Sequence, residues 1–280
     1  MEPERFLLGQ FRNIVPAAWL NAWKLLREFV RRGLIVGRNA FTRFVVEMRS
    51  TKGVFDDIYR SNQWGGERGA IYSGPGSRGE MAKLYIDAVG AFVMQNGVKS
   101  IVDIGCGDFY IASQILDRVG GDISYVGLDA AKAVIESNNA RFARDRVVFH
   151  WADAAKDNLP EADLCLIRQV LQHLSNRKIA AILVKLKHFK WAIITEHYPH
   201  HSCFKAFNTD IAQGAETRLV HGSAVYLDRA PFNLRIIALL AEVDVDRGNP
   251  LEGQLRTWLV DTKASNIDAN QSPSGDYIAC

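Results

Sequence analysis

The chain has 280 residues, 48% hydrophobic and 23% charged, with a formal charge of +3, the balance of a folded globular protein rather than a disordered or fibrous one. The charge is uneven: residues 1–52 hold ten Lys/Arg against four Asp/Glu, net +6, and the other 228 residues sum to −3. The longest charge-free stretches, Asn13–Trp23 and Ala88–Val98, are 11 residues each, whereas a membrane-spanning helix needs about 20 apolar residues.

Glu2 and Glu4 stand where a secretory signal carries basic residues, so no such signal is expected. Four widely spaced cysteines, Cys106, Cys165, Cys203 and Cys280, form no CxxC pair. Neither a disulfide framework nor a cysteine zinc site is indicated, and a reduced, cytoplasmic protein is expected.

In chain order, a helix is expected after Pro16, with Trp19, Ala22, Trp23, Leu26, Phe29 and Val30 on one face and a stop near Gly33. An amphipathic piece, Asn39–Met48, follows. Next comes a loop rich in glycine and aromatic residues, running from Asn62-Gln63-Trp64-Gly65-Gly66 to Tyr72-Ser73-Gly74-Pro75-Gly76-Ser77. Ser77 and Glu80 have capping-box spacing, and Met81, Leu84, Tyr85, Ala88 and Phe92 recur at helical spacing until Asn96-Gly97.

Strands and helices then alternate. Strands are expected at Ser100–Ile104, Ile123–Leu128, Val147–Trp151, Ala162–Ile167 and Trp191–Thr195, with helices near Ile111–Arg118, Ala131–Ala140 and Asn176–His188. That alternation implies an α/β fold with a mostly parallel sheet covered on both faces. Arg235–Val245 and Gln254–Val260, around Arg247-Gly248-Asn249-Pro250, suggest a terminal antiparallel hairpin, and Ala264–Cys280 a polar end. The expected organisation is a helical extension and lid loop over 1–76, a main domain over 77–263 and a tail over 264–280.

The chemistry concentrates at strand tips. Ile101-Val102-Asp103-Ile104-Gly105-Cys106-Gly107-Asp108 runs from a strand into a glycine turn and a helix, where backbone can approach a ligand. Position 110 is Tyr, not the third glycine of a dinucleotide fingerprint, and Asp103 beside the turn suits a cation better than phosphates. Asp129, ending the next strand about 20 residues on, can accept from both hydroxyls of a ribose. Asp153, ending the third and followed by Ala154, suits an adenine amine, with Asp108 and Asp157 as nearby competing acids.

In this order the motifs resemble the class I S-adenosylmethionine-dependent methyltransferases, over residues of about 77–260. The resemblance implies a Rossmann-like, seven-stranded fold, S-adenosyl-L-methionine as cofactor, and cofactor contacts from Asp103, Gly105, Cys106, Gly107, Asp129, Asp153 and Ala154. Asp57-Ile58-Tyr59-Arg60-Ser61-Asn62-Gln63-Trp64-Gly65, Ser73-Gly74-Pro75-Gly76-Ser77 and Arg168-Gln169-Val170-Leu171-Gln172-His173-Leu174-Ser175 are similar to a bacterial subfamily found near polysaccharide or natural-product genes. That likeness adds Trp64, Gly74 and Arg168 to the cofactor set, with Tyr59 as a further aromatic of the pocket or its packing. The subfamily reads R-D-x-L-x-H-L-S where this chain has Gln169 in place of the acid.

Methyl transfer to a hydroxyl needs in-line alignment, exclusion of water and removal of a proton, the last most readily by histidine. His197, after the fifth strand, is the first candidate for the base and His173 the second. Glu196, His197, His200 and His201 offer metal donors, but loop residues at this spacing need not converge, and no metal site is assigned. The long segment with Asn208, Asp210, Arg218, Asp228, Arg229 and Pro231-Phe232 is expected to shape the acceptor site.

The expected activity is O-methylation of a small-molecule or glycan hydroxyl. N-methylation of a small molecule and a silent, methyltransferase-like binding protein are the alternatives. A nucleic-acid acceptor is not expected: the body is acidic, and Arg168-Gln169-Val170-Leu171 stands where base methyltransferases carry an Asn-Pro-Pro-Tyr type signature. The basic N-terminal helix suggests a lid or homodimer contact over the cofactor site, with a membrane-surface contact as the alternative.

Overall fold

Five apolar runs pair side by side in a computed structural model that describes residues 49–67, 71–245 and 251–263. They are β1 (Ser100–Ile104), β2 (Ser124–Asp129), β3 (Val147–Trp151), β4 (Leu164–Arg168) and β5 (Trp191–Pro199), all parallel. β6 (Ile236–Asp244) and β7 (Glu252–Val260) form an antiparallel hairpin whose β7 pairs antiparallel with β5. The sheet order is β3-β2-β1-β4-β5-β7-β6. Its reversal between β1 and β4 opens a crevice at the carboxyl ends of the strands, where such folds bind ligands.

The two-residue period of a strand divides the core. Val102, Ile104, Cys165, Ile167 and Ile194 join one buried cluster with α1 (Thr51–Arg60), α4 (Lys132–Phe142) and α5 (Asn176–Leu183). Ile101, Leu164, Leu166 and Ile193 join the other with α2 (Gly79–Asn96) and α3 (Tyr110–Val119). Each fully buried Leu or Ile contributes about 1.5–3 kcal/mol, so both faces must stay covered.

Most expected elements form within a residue or two of their expected ends, with three departures. The capping box does not form: the Ser77 hydroxyl donates to Gly74 O at 2.7 Å within a short turn, and α2 starts beyond it with Arg78 as cap. The helix expected over Asn176–His188 changes at Val184 into a tighter 3₁₀ segment. β5 runs to Pro199 instead of stopping at Thr195, because β7 pairs alongside it from Val260 to Glu252. Glu196 and His197 are therefore strand residues, not loop residues.

Across the boundary expected at 76/77 the described residues pack together: Val54, Phe55 and Ile58 of α1 are buried in one core with residues of the sheet. The Lys178 ammonium, on α5, donates to Thr51 Oγ1 at 2.8 Å and to Gln213 Oε1, while Gln213 Nε2 donates to Arg49 O at 2.9 Å. The expected helix after Pro16, Asn39–Met48, the turn Arg247–Pro250 and the end Ala264–Cys280 lie outside the described residues. Among the described residues no helix is long and apolar enough to cross a membrane.

Candidate cofactor and methyl-transfer site

The tips of β1, β2, β4 and β5 open into one cavity of about 310 Å³, within the range of small-ligand sites. Its wall includes Asp103, Gly105, Cys106, Gly107, Asp129, Asp153, Ala154, Arg168, Trp64, Gly74, His173 and His197, so the structure brings every expected cofactor and base residue together.

The glycine turn is fixed by its backbone and by what presses on it. Gly105 has φ +73°, and a Cβ there would lie 2.3 Å from Val170 Cγ2; Gly107 has φ +53°, with Ser73 Oγ 2.1 Å from the corresponding point. Both angles belong to the left-handed region that glycine enters without strain. Asn138 Nδ2 donates to Gly107 O at 2.7 Å, and Gly107 N donates to Asp129 Oδ2 at 3.1 Å. Asp129 Oδ1 also accepts from Ala131 N at 2.9 Å. The same acid thus holds the turn and presents its remaining lone pairs to the cavity.

Asp103 accepts from the Tyr125 hydroxyl at 2.8 Å. Burial pushes its carboxyl up to about 6 against that hydrogen bond, and burial does the same to Asp129, also to about 6. Two desolvated acids beside one cavity favour a positively charged guest. Asp153, 4% exposed, accepts from Ala155 N at 3.1 Å at the tip of β3. Its two competitors are each paired with a cation: Asp108, which also lines the cavity, with Arg78 at 2.6 Å, and Asp157, which accepts from Asp153 N, with Lys52 at 3.0 Å.

The cavity wall also carries hydrogen-bond donors. Arg168 Nη2 donates to Gly76 O at 2.6 Å and Nη1 to Gln169 Oε1 at 3.0 Å, while Arg168 Nε and Trp64 Nε1 are buried N–H groups with no hydrogen-bond partner among the described residues. Buried donors in this state call for an acceptor from a ligand. Trp64 packs edge-on to Tyr59, with centroids 4.9 Å apart, and lies 5.4 Å from the His173 ring. Tyr59 therefore does both things expected of it, lining the cavity while packing.

His173 is held on both ring nitrogens, Nδ1 at 3.3 Å from Glu216 O and Nε2 at 3.3 Å from Gln172 Nε2. With a carbonyl on one side and an amide donor on the other, the neutral ring with the proton on Nδ1 fits. Burial lowers its pKa to about 4, which disfavours proton capture at neutral pH. His197, 4% exposed, lines the cavity from β5. Of the residues weighed as metal donors, Glu196 and His197 alternate across β5, and His200 is exposed and bonded to Ser202 Oγ at 2.7 Å.

Sequence reasoning missed Glu196 as an anchor. It accepts from Leu171 N at 3.0 Å and Gln172 N at 3.1 Å. It also left unexplained Arg218, which donates to Thr209 O, Leu171 O, Leu174 O and Asn176 Oδ1 at 2.7–3.0 Å. Only the pairing of a charged side chain with an otherwise apolar setting hints at such roles, and the partners are distant in sequence. The long β5–β6 connection lines the cavity through Ala215, Thr217, Leu219 and Val220, and Leu251 and Glu252 join them from the start of β7.

The donor set fits S-adenosylmethionine on the observations above: desolvated acids for a cation, a glycine cradle with no room for a Cβ, and unpartnered N–H groups for a carboxylate. Residues 101–189 match a family model described as a methyltransferase domain. No curated protein matches the chain. Among solved structures, the magnesium protoporphyrin IX methyltransferase of Synechocystis PCC 6803 with bound SAH is 13% identical with a TM-score of 0.47, the match covering 75% of this chain and 99% of that one. Human N-acetylserotonin methyltransferase in complex with SAM is 16% identical at 0.41, covering 74% and 59%. A StiE O-methyltransferase segment is 15% identical at 0.43, covering 65% and 74%. Those distant likenesses say nothing of this chain's acceptor. The segment 101–189 contains Asp103, Asp129 and Asp153, so the acids at the strand tips fall within the stretch that is similar to a methyltransferase domain.

Proposed function

We propose that the chain methylates a hydroxyl group of a small molecule or glycan, with His197 as general base. The observation that supports this most directly is that His197 lines the same cavity as Asp103 and Asp129, while His173 is engaged at both ring nitrogens and titrates near 4. When bound, S-adenosylmethionine supplies an electrophilic methyl group on a cationic sulfur. Asp103 and Asp129 balance that cation, Asp129 and Asp153 grip the nucleoside, and Arg168 Nε and Trp64 Nε1 receive the carboxylate. His197 accepts the hydroxyl proton as the acceptor oxygen becomes nucleophilic.

The wall given by Ala215, Thr217, Leu219, Val220 and Glu252 mixes apolar and polar groups, which suits a hydroxyl-bearing acceptor of modest size. A nucleic acid is not the acceptor in this reading. Among the described residues, Cys106 and Cys165 are free thiols, which accords with a cytoplasmic setting.

Incubation with methyl-labelled cofactor and pools of small molecules and oligosaccharides, read by mass spectrometry, tests the activity. A labelled product whose methyl is carried on oxygen is expected, and one carried on nitrogen overturns O-methylation. His197→Ala should then lower turnover by about 100-fold or more with cofactor affinity unchanged. Full turnover in that variant removes His197 as the base.

A further inference from the structure

Among the described residues, Glu196 and Arg218 are charged side chains with 0% exposure, and both act on one turn. Glu196 takes the backbone N–H groups of Leu171 and Gln172; Arg218 gives its N–H groups to the carbonyls of Leu171 and Leu174. That turn, Leu171–His173, follows β4 and carries much of the wall facing the glycine turn. Val170 presses on Gly105, and Gln172 and His173 line the cavity, His173 lying against Trp64. Keeping two buried charges is costly unless each is fully hydrogen-bonded, and here the bonds of both fall on one short buried turn.

We propose that Glu196 is a positioning residue: with Arg218 opposite, its carboxylate clamps the Leu171–His173 turn, and through Val170 and Gln172 that clamp sets the wall against which the cofactor sits. The proposal rests on the cofactor reading of the cavity. It assigns Glu196 no contact with cofactor or acceptor.

The charged and titratable groups around Glu196 are Arg218, Arg168 at the tip of β4, Tyr198 on its own strand, and Arg256 opposite it on β7. Burial lifts Glu196 to about 8, against the pull of the two N–H groups and Arg218. Ionised, it accepts both N–H bonds; protonated, one oxygen turns donor and the turn loosens. Cofactor affinity should therefore rise as pH climbs through that value. Asp103 and Asp129, near 6, and His173, near 4, titrate below it.

Calorimetric titration of the full chain with S-adenosylhomocysteine between about pH 6.5 and 9 tests this. Wild-type affinity should rise about fivefold across the range. Glu196→Gln, folded by circular dichroism, should bind about fivefold or more weakly than wild type at the upper end and lack that rise. A folded Glu196→Gln with wild-type affinity and the same rise overturns the clamp, and so does a flat wild-type profile. If Glu196→Gln does not fold, proton linkage in the wild type decides. Binding of 5′-methylthioadenosine, which has no amine or carboxyl to titrate, should release protons near pH 8, read as heat that varies with the buffer's ionisation enthalpy; absence of release overturns the proposal. Failure of S-adenosylhomocysteine to bind at any pH would instead strike the cofactor reading.

Discussion

On the β1–β3 side the cavity wall is made by short segments: a glycine turn, an acid at or near each strand tip, and backbone N–H groups that donate to those acids. On the β5 side the wall comes from the long connection between β5 and β6, held by single polar residues. Asn208 alone donates to Tyr226 O, Arg229 O and Ala230 O and accepts from Tyr226 N, while Arg218 ties the connection to the turn after β4. The first wall is rigid by local geometry and suits a constant ligand. The second depends on a few buried side chains and can be reshaped without touching the sheet.

The sharpest way to break that contrast is Gly105→Ala. The added Cβ would meet Val170 Cγ2 at 2.3 Å from a backbone with φ +73°, so cofactor affinity should fall by about 100-fold, near 2.7 kcal/mol, as measured by calorimetry. Near-normal affinity would mean that this wall yields, contrary to its tight packing.

Asn208→Ala tests the other wall. It removes a network of buried backbone contacts and should cost about 2 kcal/mol of stability in denaturant melts. Cofactor affinity should stay within about twofold of wild type; a larger loss would show that the two walls are not separable.

A pH series sharpens the account of the acids. Both Asp103 and Asp129 titrate near 6 in the fold, above their ordinary value. The folded ligand-free chain therefore binds more protons than the unfolded one between about pH 4 and 6, and these acids disfavour folding increasingly as pH rises through that window. A sulfonium binds their ionised form. The affinity ratio of S-adenosylmethionine to uncharged S-adenosylhomocysteine should rise about fivefold from pH 5 to 7.5 and then level off. An unchanged ratio would remove the acids as partners of the positive sulfur. The smallest effect belongs to neither wall: Lys83→Ala deletes an exposed pair with Asp87 at 3.0 Å and should change stability by less than about 0.5 kcal/mol, with cofactor binding untouched.

The same contrast explains what could be read in the sequence. β1, β2 and β3 are apolar runs ending in an acid or near one, so Asp103, Asp129 and Asp153 could be placed from spacing alone. The extension of β5 through Glu196-His197-Tyr198-Pro199 carries no apolar alternation and exists because β7 pairs beside it. Burial of Glu196 depends on N–H groups 24 and 25 residues away, and that of Arg218 on carbonyls 44 and 47 residues away. Ser77 shows the opposite failure: its spacing to Glu80 satisfies a local rule, but Ser77 belongs to a short turn closed on Gly74 and the helix takes its cap one residue later, at Arg78.

The tie from Lys178 to Thr51, and from Gln213 to Arg49, bears on where the gene could be cut. A shortened protein starting at residue 77 would retain the cofactor motifs yet leave a buried ammonium short of an acceptor and uncover the apolar surface now under Val54, Phe55 and Ile58. Such a fragment should express poorly and aggregate, whereas one starting just ahead of Arg49 keeps both anchors.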